Sequence, residues 1–208
     1  MKKIVAIGLL MATMSTATFA NGILKSLLET SERYSARSAS IETLKLPPEA
    51  IVEVGFSPEG SAEALVLKTI DSARKQIRMM AYAFTSPKVV KALLAAHKRG
   101  VDVKLLVDAK TLEEEGRKRS QPGNAAVSTL VEAGVEVRTI DKYQIQHEKT
   151  FVVDGRTVEL GSYNFTQGAA TRNGETAMVI SNAPNVAKVY LDHWATRWPD
   201  GKPYKQRY

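Results

Sequence analysis

Between residues 51 and 140 the chain alternates short β-branched runs with amphipathic stretches, and this alternation limits the fold more than any other feature. Ile51–Phe56 reads as a strand. Ser57-Pro58-Glu59-Gly60 is a turn, and Ser61 is placed to cap a helix running to about Arg74. Ala64, Leu67, Ile70 and Ala73 share one apolar face of that helix. Ile77–Ala83 is the next strand. Ser86 and Pro87 then open a helix through Val90, Leu93, Leu94 and His97, which Gly100 ends. Val101–Val107 is a third strand. A polar stretch, Asp108–Asn124, leads to a helix at Ala125–Ala133, a stop at Gly134 and a strand at Val135–Ile140. Such βαβ alternation implies a substantially parallel sheet. After residue 140 the pattern changes. Thr150–Val153, Thr157–Leu160 and Thr176–Ile180 are short strands, the first two joined at Asp154-Gly155, a pair that favours a tight hairpin turn. A last helix covers about Ala183–Trp198. The expected fold class is α/β: a mixed, largely parallel β-sheet flanked by helices.

Length and composition set the outer bounds. The 208 residues suit one domain, and at 44% hydrophobic they can build an ordinary core. With no cysteine, disulfides, thiolate nucleophiles and cysteine-held metal sites are excluded. The three histidines, His97, His147 and His193, show no paired spacing, so no metal and no cofactor is expected. Residues 1–20 read as a secretory signal: Lys2 and Lys3, an apolar run from Ile4 to Ala12, and Thr18-Phe19-Ala20 offering small side chains for a cut after Ala20. The rival reading, an uncleaved anchor helix, fits less well. Ile4 to Ala20 spans 17 residues with Ser and Thr among them, whereas a spanning helix wants about 20 apolar ones. The expected location is therefore periplasmic or secreted from a bacterial cell, with no stable membrane span after cleavage. Cleavage would remove two lysines and no acid, taking the net charge from +7 to +5. A moderately basic surface suits a polyanion, nucleic acid or anionic lipid alike. Residues 21–49, closed by Pro47-Pro48, read as a linker or N-terminal arm, and the folded domain covers residues 50–208.

The chemistry concentrates in His147–Asn164, HEKTFVVDGRTVELGSYN, where five functional side chains fall within eighteen residues. His147 and Lys149, two apart on a strand, point to one side, where a phosphate fits between them. His147 is the candidate nucleophile, forming a phosphohistidine. Lys149 is the candidate clamp on the non-bridging oxygens. Ser162 and Asn164, also two apart, are candidate phosphate donors. Asp154, at the Asp-Gly turn, belongs to the catalytic motif by spacing, but suits a structural or charge-balancing role better than attack. Glu175, opening a later strand, is the candidate acceptor that orients the His147 ring.

This spacing resembles the HKD signature of the phospholipase D superfamily, H-x-K-x4-D-x6-G-S-x-N, at every specified position. Further likeness lies in Phe56-Ser57-Pro58-Glu59-Gly60, Arg78-Met79-Met80-Ala81-Tyr82, Lys98-Arg99-Gly100-Val101-Asp102-Val103-Lys104 and His193-Trp194 with Arg197-Trp198. Over roughly residues 50–208 the chain looks like the small bacterial endonucleases of that superfamily. The resemblance implies a mixed α/β sandwich and phosphodiester hydrolysis without a metal.

The two-step reaction needs a nucleophile and a separate acid for the leaving oxygen, yet H-x-K occurs once. The resemblance implies a homodimer in which His147 of each chain serves one role. The rival is an acid within the chain, His97 or His193, both of which read as structural or exposed. The expected substrate is DNA, with RNA as a second option, cut without sequence preference. The basic runs Lys98-Arg99 and Arg117-Lys118-Arg119 lend it support. The alternative is a lipid phosphodiesterase or phosphatidyl transferase, whose only apolar resource is the Trp194, Trp198 and Tyr204 region. A nucleic-acid-binding protein with a dead site is a third reading, opposed by the intact motif.

Overall fold

A computed structural model describes residues 41–112 and 121–205. The expected signal peptide, residues 21–40 of the expected arm, and the run Arg117-Lys118-Arg119 lie outside the described residues. Leu44–Tyr208 form one unit. In chain order it holds β1 (Ile51–Ser57), α1 (Ser61–Ser72), β2 (Gln76–Ala81), α2 (Pro87–Lys98), β3 (Asp102–Asp108), α3 (Gln121–Glu132), β4 (Glu136–Ile140), β5 (Lys149–Val153), β6 (Thr157–Gly161), α4 (Gln167–Thr171), β7 (Glu175–Ser181), α5 (Pro184–Arg197) and β8 (Lys202–Pro203).

Local signals set most of these boundaries. Ser86 caps α2, its hydroxyl accepting from the Val89 amide at 3.4 Å, with Pro87 as the first helical residue. Ser61 does not cap α1. Gly60, in left-handed backbone at φ 92°, holds that position. Ser61 Oγ instead accepts from the Phe56 amide at 2.8 Å and donates to the Phe56 carbonyl at 3.1 Å, tying the helix to the end of β1. The buried stripe of α1 is also rotated from the expected one: Ala62, Leu65, Val66 and Ile70 face inward, while Ala64 is exposed. Two neighbouring rows of this helix have apolar spacing, and contact with the sheet decides which is buried.

The strands form one sheet in the order β1-β7-β6-β5-β2-β3-β4-β8. β2, β3 and β4 are parallel neighbours; all the other pairings are antiparallel. The mixed α/β sheet is as expected, but its parallel share is smaller, and the reason is an insertion. Four antiparallel steps separate β1 from β2, so β1 keeps the direction that the βαβ pattern demands. β5, β6 and β7 occupy the places between them. The Asp154-Gly155 turn, with φ of 53° and 66°, makes the reversal from β5 to β6.

One face of the sheet carries α1, α2 and α3 over a core that includes Val66, Ile70, Leu93, Leu130, Leu105 and Phe151. Each such side chain, fully buried, contributes about 1.5–3 kcal/mol. Glu159 of β6, flanked by Phe151 and Val179 in the neighbouring strands, shares this interior. It is fully buried, neither carboxyl oxygen has a protein partner, and burial pushes its pKa well above the ordinary glutamate value. The other face is covered by α5, through Val186 and Ala187 against Val152 and Val158, and through Trp194 against Met80 and Leu106. α5 stops short of the β1 edge. There Val52, Val54 and Phe56 stay about half exposed.

Candidate active site

The ends of β1, β2, β3 and β6 meet the starts of β5 and β7 along one edge of the sheet. Lys149 lies opposite Ala81, Gly161 opposite Ala177, and Ser57 opposite Glu175. Crevices at the C-terminal ends of parallel strands are where α/β sheets hold ligands. Five of the six expected residues, His147, Lys149, Ser162, Asn164 and Glu175, come to this edge.

His147 precedes β5 and is exposed, its ring centroid 4.5 Å from that of Tyr82, the residue that follows β2, with the two planes tilted by 57°. Lys149 is buried. Its Nζ donates to the His147 carbonyl at 2.6 Å and sits 5.0 Å over the Tyr82 ring. Burial holds the ammonium pKa below the ordinary lysine value, and the nearby Glu175 charge opposes that shift. One hydrogen bond leaves two ammonium hydrogens for an anion.

The Gly-Ser-x-Asn segment is shaped by close approach. A Cβ on Gly161 would lie 2.1 Å from the Thr176 carbonyl oxygen, so only glycine fits between β6 and β7. Tyr163 turns into the core, fully buried against Phe165 at 6.3 Å. Alternation then turns its neighbours Ser162 and Asn164 the other way. Asn164 keeps a buried Oδ1 with no protein partner.

Two expected contacts are replaced by others. Glu175 does not bond His147. Its carboxylate accepts from Ser162 Oγ at 2.7 Å and from Asn173 Nδ2 at 3.0 Å. A hydroxyl has one hydrogen, so Ser162, which also accepts from the Thr176 amide at 3.0 Å, is committed to Glu175 and not to a phosphate. Glu175 starts a strand whose partner edge carries Ser162, and the nearer donors take it.

Asp154 is not part of this edge. It ends β5 at the opposite side, about 17 Å along the strand. Its carboxylate accepts from the amides of Arg74, Lys75 and Gln76 at 2.9, 2.7 and 2.9 Å. Burial raises its pKa, but those three donors outweigh it and leave the carboxyl below the ordinary aspartate value. Asp154 therefore locks the β5–β6 turn to the start of β2. Lys98 and Arg99 lie at that far side too, before β3, where Arg99 donates to the Asp71 and Ala73 carbonyls. They do not face the site.

Other residues complete the edge. Asp108, buried at the end of β3, accepts from the Gln146 amide at 2.7 Å and the Thr111 amide at 3.0 Å. Lys110 donates to the Gln144 carbonyl at 2.7 Å. Glu148, between His147 and Lys149, reaches the opposite face and meets His193 of α5. Tyr82 and Asp108 carried one readable signal: the first follows β2 and the second closes β3, at the edge where sites form. Among the described residues no group of three or more His, Asp or Glu is arranged to hold a metal ion. No described helix is long and apolar enough to cross a membrane.

Comparison with known proteins agrees with this geometry. The family described as cardiolipin synthase, PLD-like domain, matches residues 66–198. A phospholipase D of Rickettsia bellii (strain RML369-C) is 35% identical over 147 residues, covering 70% of this chain and 68% of that protein. Among solved structures, Nuc from Salmonella typhimurium, a phospholipase D family member, has a TM-score of 0.72 and 47% identity, covering 76% of this chain and 100% of that one. NucT from Helicobacter pylori shares the fold with a TM-score of 0.65 at 18% identity, covering 75% of this chain and 100% of that one. With the sheet, the motif and these relatives in agreement, the chain belongs to the phospholipase D family and is a phosphodiester hydrolase.

Proposed function

We propose that the chain is an endonuclease that hydrolyses DNA, and RNA as a second substrate, through a phosphohistidine at His147 in a site shared by two copies. The observation that carries this reading is the His147–Lys149 pair, an exposed imidazole beside an ammonium with two uncommitted hydrogens, occurring once per chain. The 47% identity to Nuc supports the nuclease over other phosphodiesterases. In the first step a His147 ring nitrogen attacks phosphorus, the bond from phosphorus to the leaving oxygen breaks, and that oxygen takes a proton from His147 of the partner subunit. In the second step the partner's His147 removes a proton from water, the water oxygen bonds phosphorus, and the phosphorus–nitrogen bond breaks. Lys149 and Asn164 hold the phosphate throughout.

A second copy is also supported by the bare face of β1. Val52, Val54 and Phe56 lie opposite Ile180, Met178 and Thr176 in the β1–β7 register, and the next pair is Ser57 with Glu175, so the apolar patch runs up to the site. Covering their exposed halves would contribute roughly 1 kcal/mol each. Residues 1–20 are proposed to direct the enzyme to the periplasm or the medium.

The test is plasmid cleavage by the mature protein in excess EDTA, with His147→Asn beside it. Cleavage that survives EDTA and vanishes in the variant is expected. A lipid phosphodiesterase is the second reading, favoured by the names of the relatives, cardiolipin synthase and phospholipase D. Turnover of phospholipid vesicles with no DNA cleavage would replace the nuclease reading with it.

A further inference from the structure

We propose that His193 and Glu148 form a positioning pair that sets the geometry of His147 and Lys149 from the opposite face of the sheet. His147 has an exposed ring that meets Tyr82 in a tilted contact. Its orientation therefore depends on its backbone. That backbone is fixed on both sides. Before it, the Gln146 amide donates to buried Asp108. After it, Glu148 points away from Lys149, as strand alternation requires, and meets α5. His193 Nε2 lies 2.5 Å from Glu148 Oε1, and the Gln146 side-chain amide donates to Glu148 Oε2. One carboxylate thus ties the residues on either side of His147 to a helix from the far end of the chain.

The consequence reaches Lys149 as well. Its Nζ is held by the His147 carbonyl, so a rotation of the segment from Gln146 to Glu148 moves the nucleophile and the clamp together. α5 itself is firmly seated there, with Trp194 in the core beside His193 and Arg197 donating to the Tyr143 hydroxyl one turn on. Tyr190, one turn earlier, feels burial first and then the Glu148 charge, and both raise its pKa. The middle position of H-x-K, free by the motif, is in this chain a brace. A displacement of about 1 Å at a nucleophile costs about 100-fold in rate, which is the scale such a brace guards.

The test uses the full chain and a generic diester, bis(4-nitrophenyl) phosphate, so it does not depend on DNA being the substrate. His193→Leu and Glu148→Ala are expected to lower kcat about 10- to 100-fold with KM changed little. His193→Gln, whose amide nitrogen can take the place of Nε2, is expected to recover most of kcat and to keep both limbs of the pH–rate profile. The double variant is expected to be no worse than either single one. A second readout needs no turnover: with three histidines in the chain, the ring-current shift of the His147 imidazole on Tyr82 can be followed by NMR, and it should collapse in His193→Leu. Wild-type kcat or an unchanged His147 resonance in His193→Leu would overturn the proposal. Loss of one pH limb in His193→Gln would also overturn it, because His193 would then be a proton donor and not a brace.

Discussion

Replacing Glu159 by Gln should make the protein more stable, and increasingly so as the pH rises. The carboxyl is fully buried on β6, neither oxygen has a protein partner, and burial raises its pKa well above the ordinary value. Burial favours the protonated carboxyl in the folded state, whereas the unfolded chain releases the proton near pH 4.3. The sign follows from linkage. A carboxyl whose folded pKa is raised favours the fold fully only below the unfolded value, and that contribution declines as the pH climbs towards the folded one. The slope is about 1.4 kcal/mol per pH unit. The wild-type fold therefore loses stability along this slope above pH 4.3 for as long as burial keeps the carboxyl protonated. Glutamine has nearly the same shape and does not titrate, so the variant lacks this slope. The assay is urea unfolding of wild type and Glu159→Gln from pH 5 to pH 8, at one protein concentration because association adds to apparent stability. The difference between the two should grow with pH. A constant difference over that range would refute the reasoning, since it would mean that Glu159 is ionised in the fold.

The other predictions concern the edge and its supports. Gly161→Ala should cost about 3 kcal/mol and abolish turnover, because the new methyl meets the Thr176 carbonyl at 2.1 Å; thermal unfolding and diester hydrolysis read both. Asp154→Ala should destabilise by roughly 2 kcal/mol, from three amides left without their carboxylate, while the folded protein keeps near wild-type kcat. Because its folded pKa is depressed, the contribution of Asp154 should be intact above the ordinary aspartate range and disappear as the pH falls through the folded value. Chains carrying His147→Asn mixed with wild type should give heterodimers with little activity, and a half-maximal heterodimer rate would end the shared-site reading. DNA affinity should fall steeply with salt if phosphate contacts dominate.

The motif was legible because its spacing is local: His147, Lys149, Ser162 and Asn164 share an edge through strand alternation and one hairpin. Asp154 shows the limit of the same logic. Its offset is as regular as the others, but five residues of strand carry it to the far side of the sheet, and no spacing tells which end of a strand a side chain serves. The supports were hidden for a different reason. Asp108 reaches Gln146 across 38 residues and His193 reaches Glu148 across 45, and helical periodicity says only that α5 has an inward face. Strand directions were legible from the βαβ pattern, but neighbour order was not, since nothing local states that β5, β6 and β7 slip between β1 and β2.

That insertion dictates an order of assembly. Among the described residues β1 pairs only with β7, and Ile51 lies opposite Ser181. Of the described strands, the first to be synthesised thus cannot be seated until the seventh is made. β2, β3 and β4, linked by short helical crossovers, can gather early, while Ile51–Ser57 waits for about 120 further residues with a free backbone edge and the apolar side chains of Val52, Val54 and Phe56 uncovered. A chain released before β7 is complete exposes just the kind of edge that recruits another strand, so premature truncation ahead of Ser181 should yield aggregates and not a smaller soluble domain.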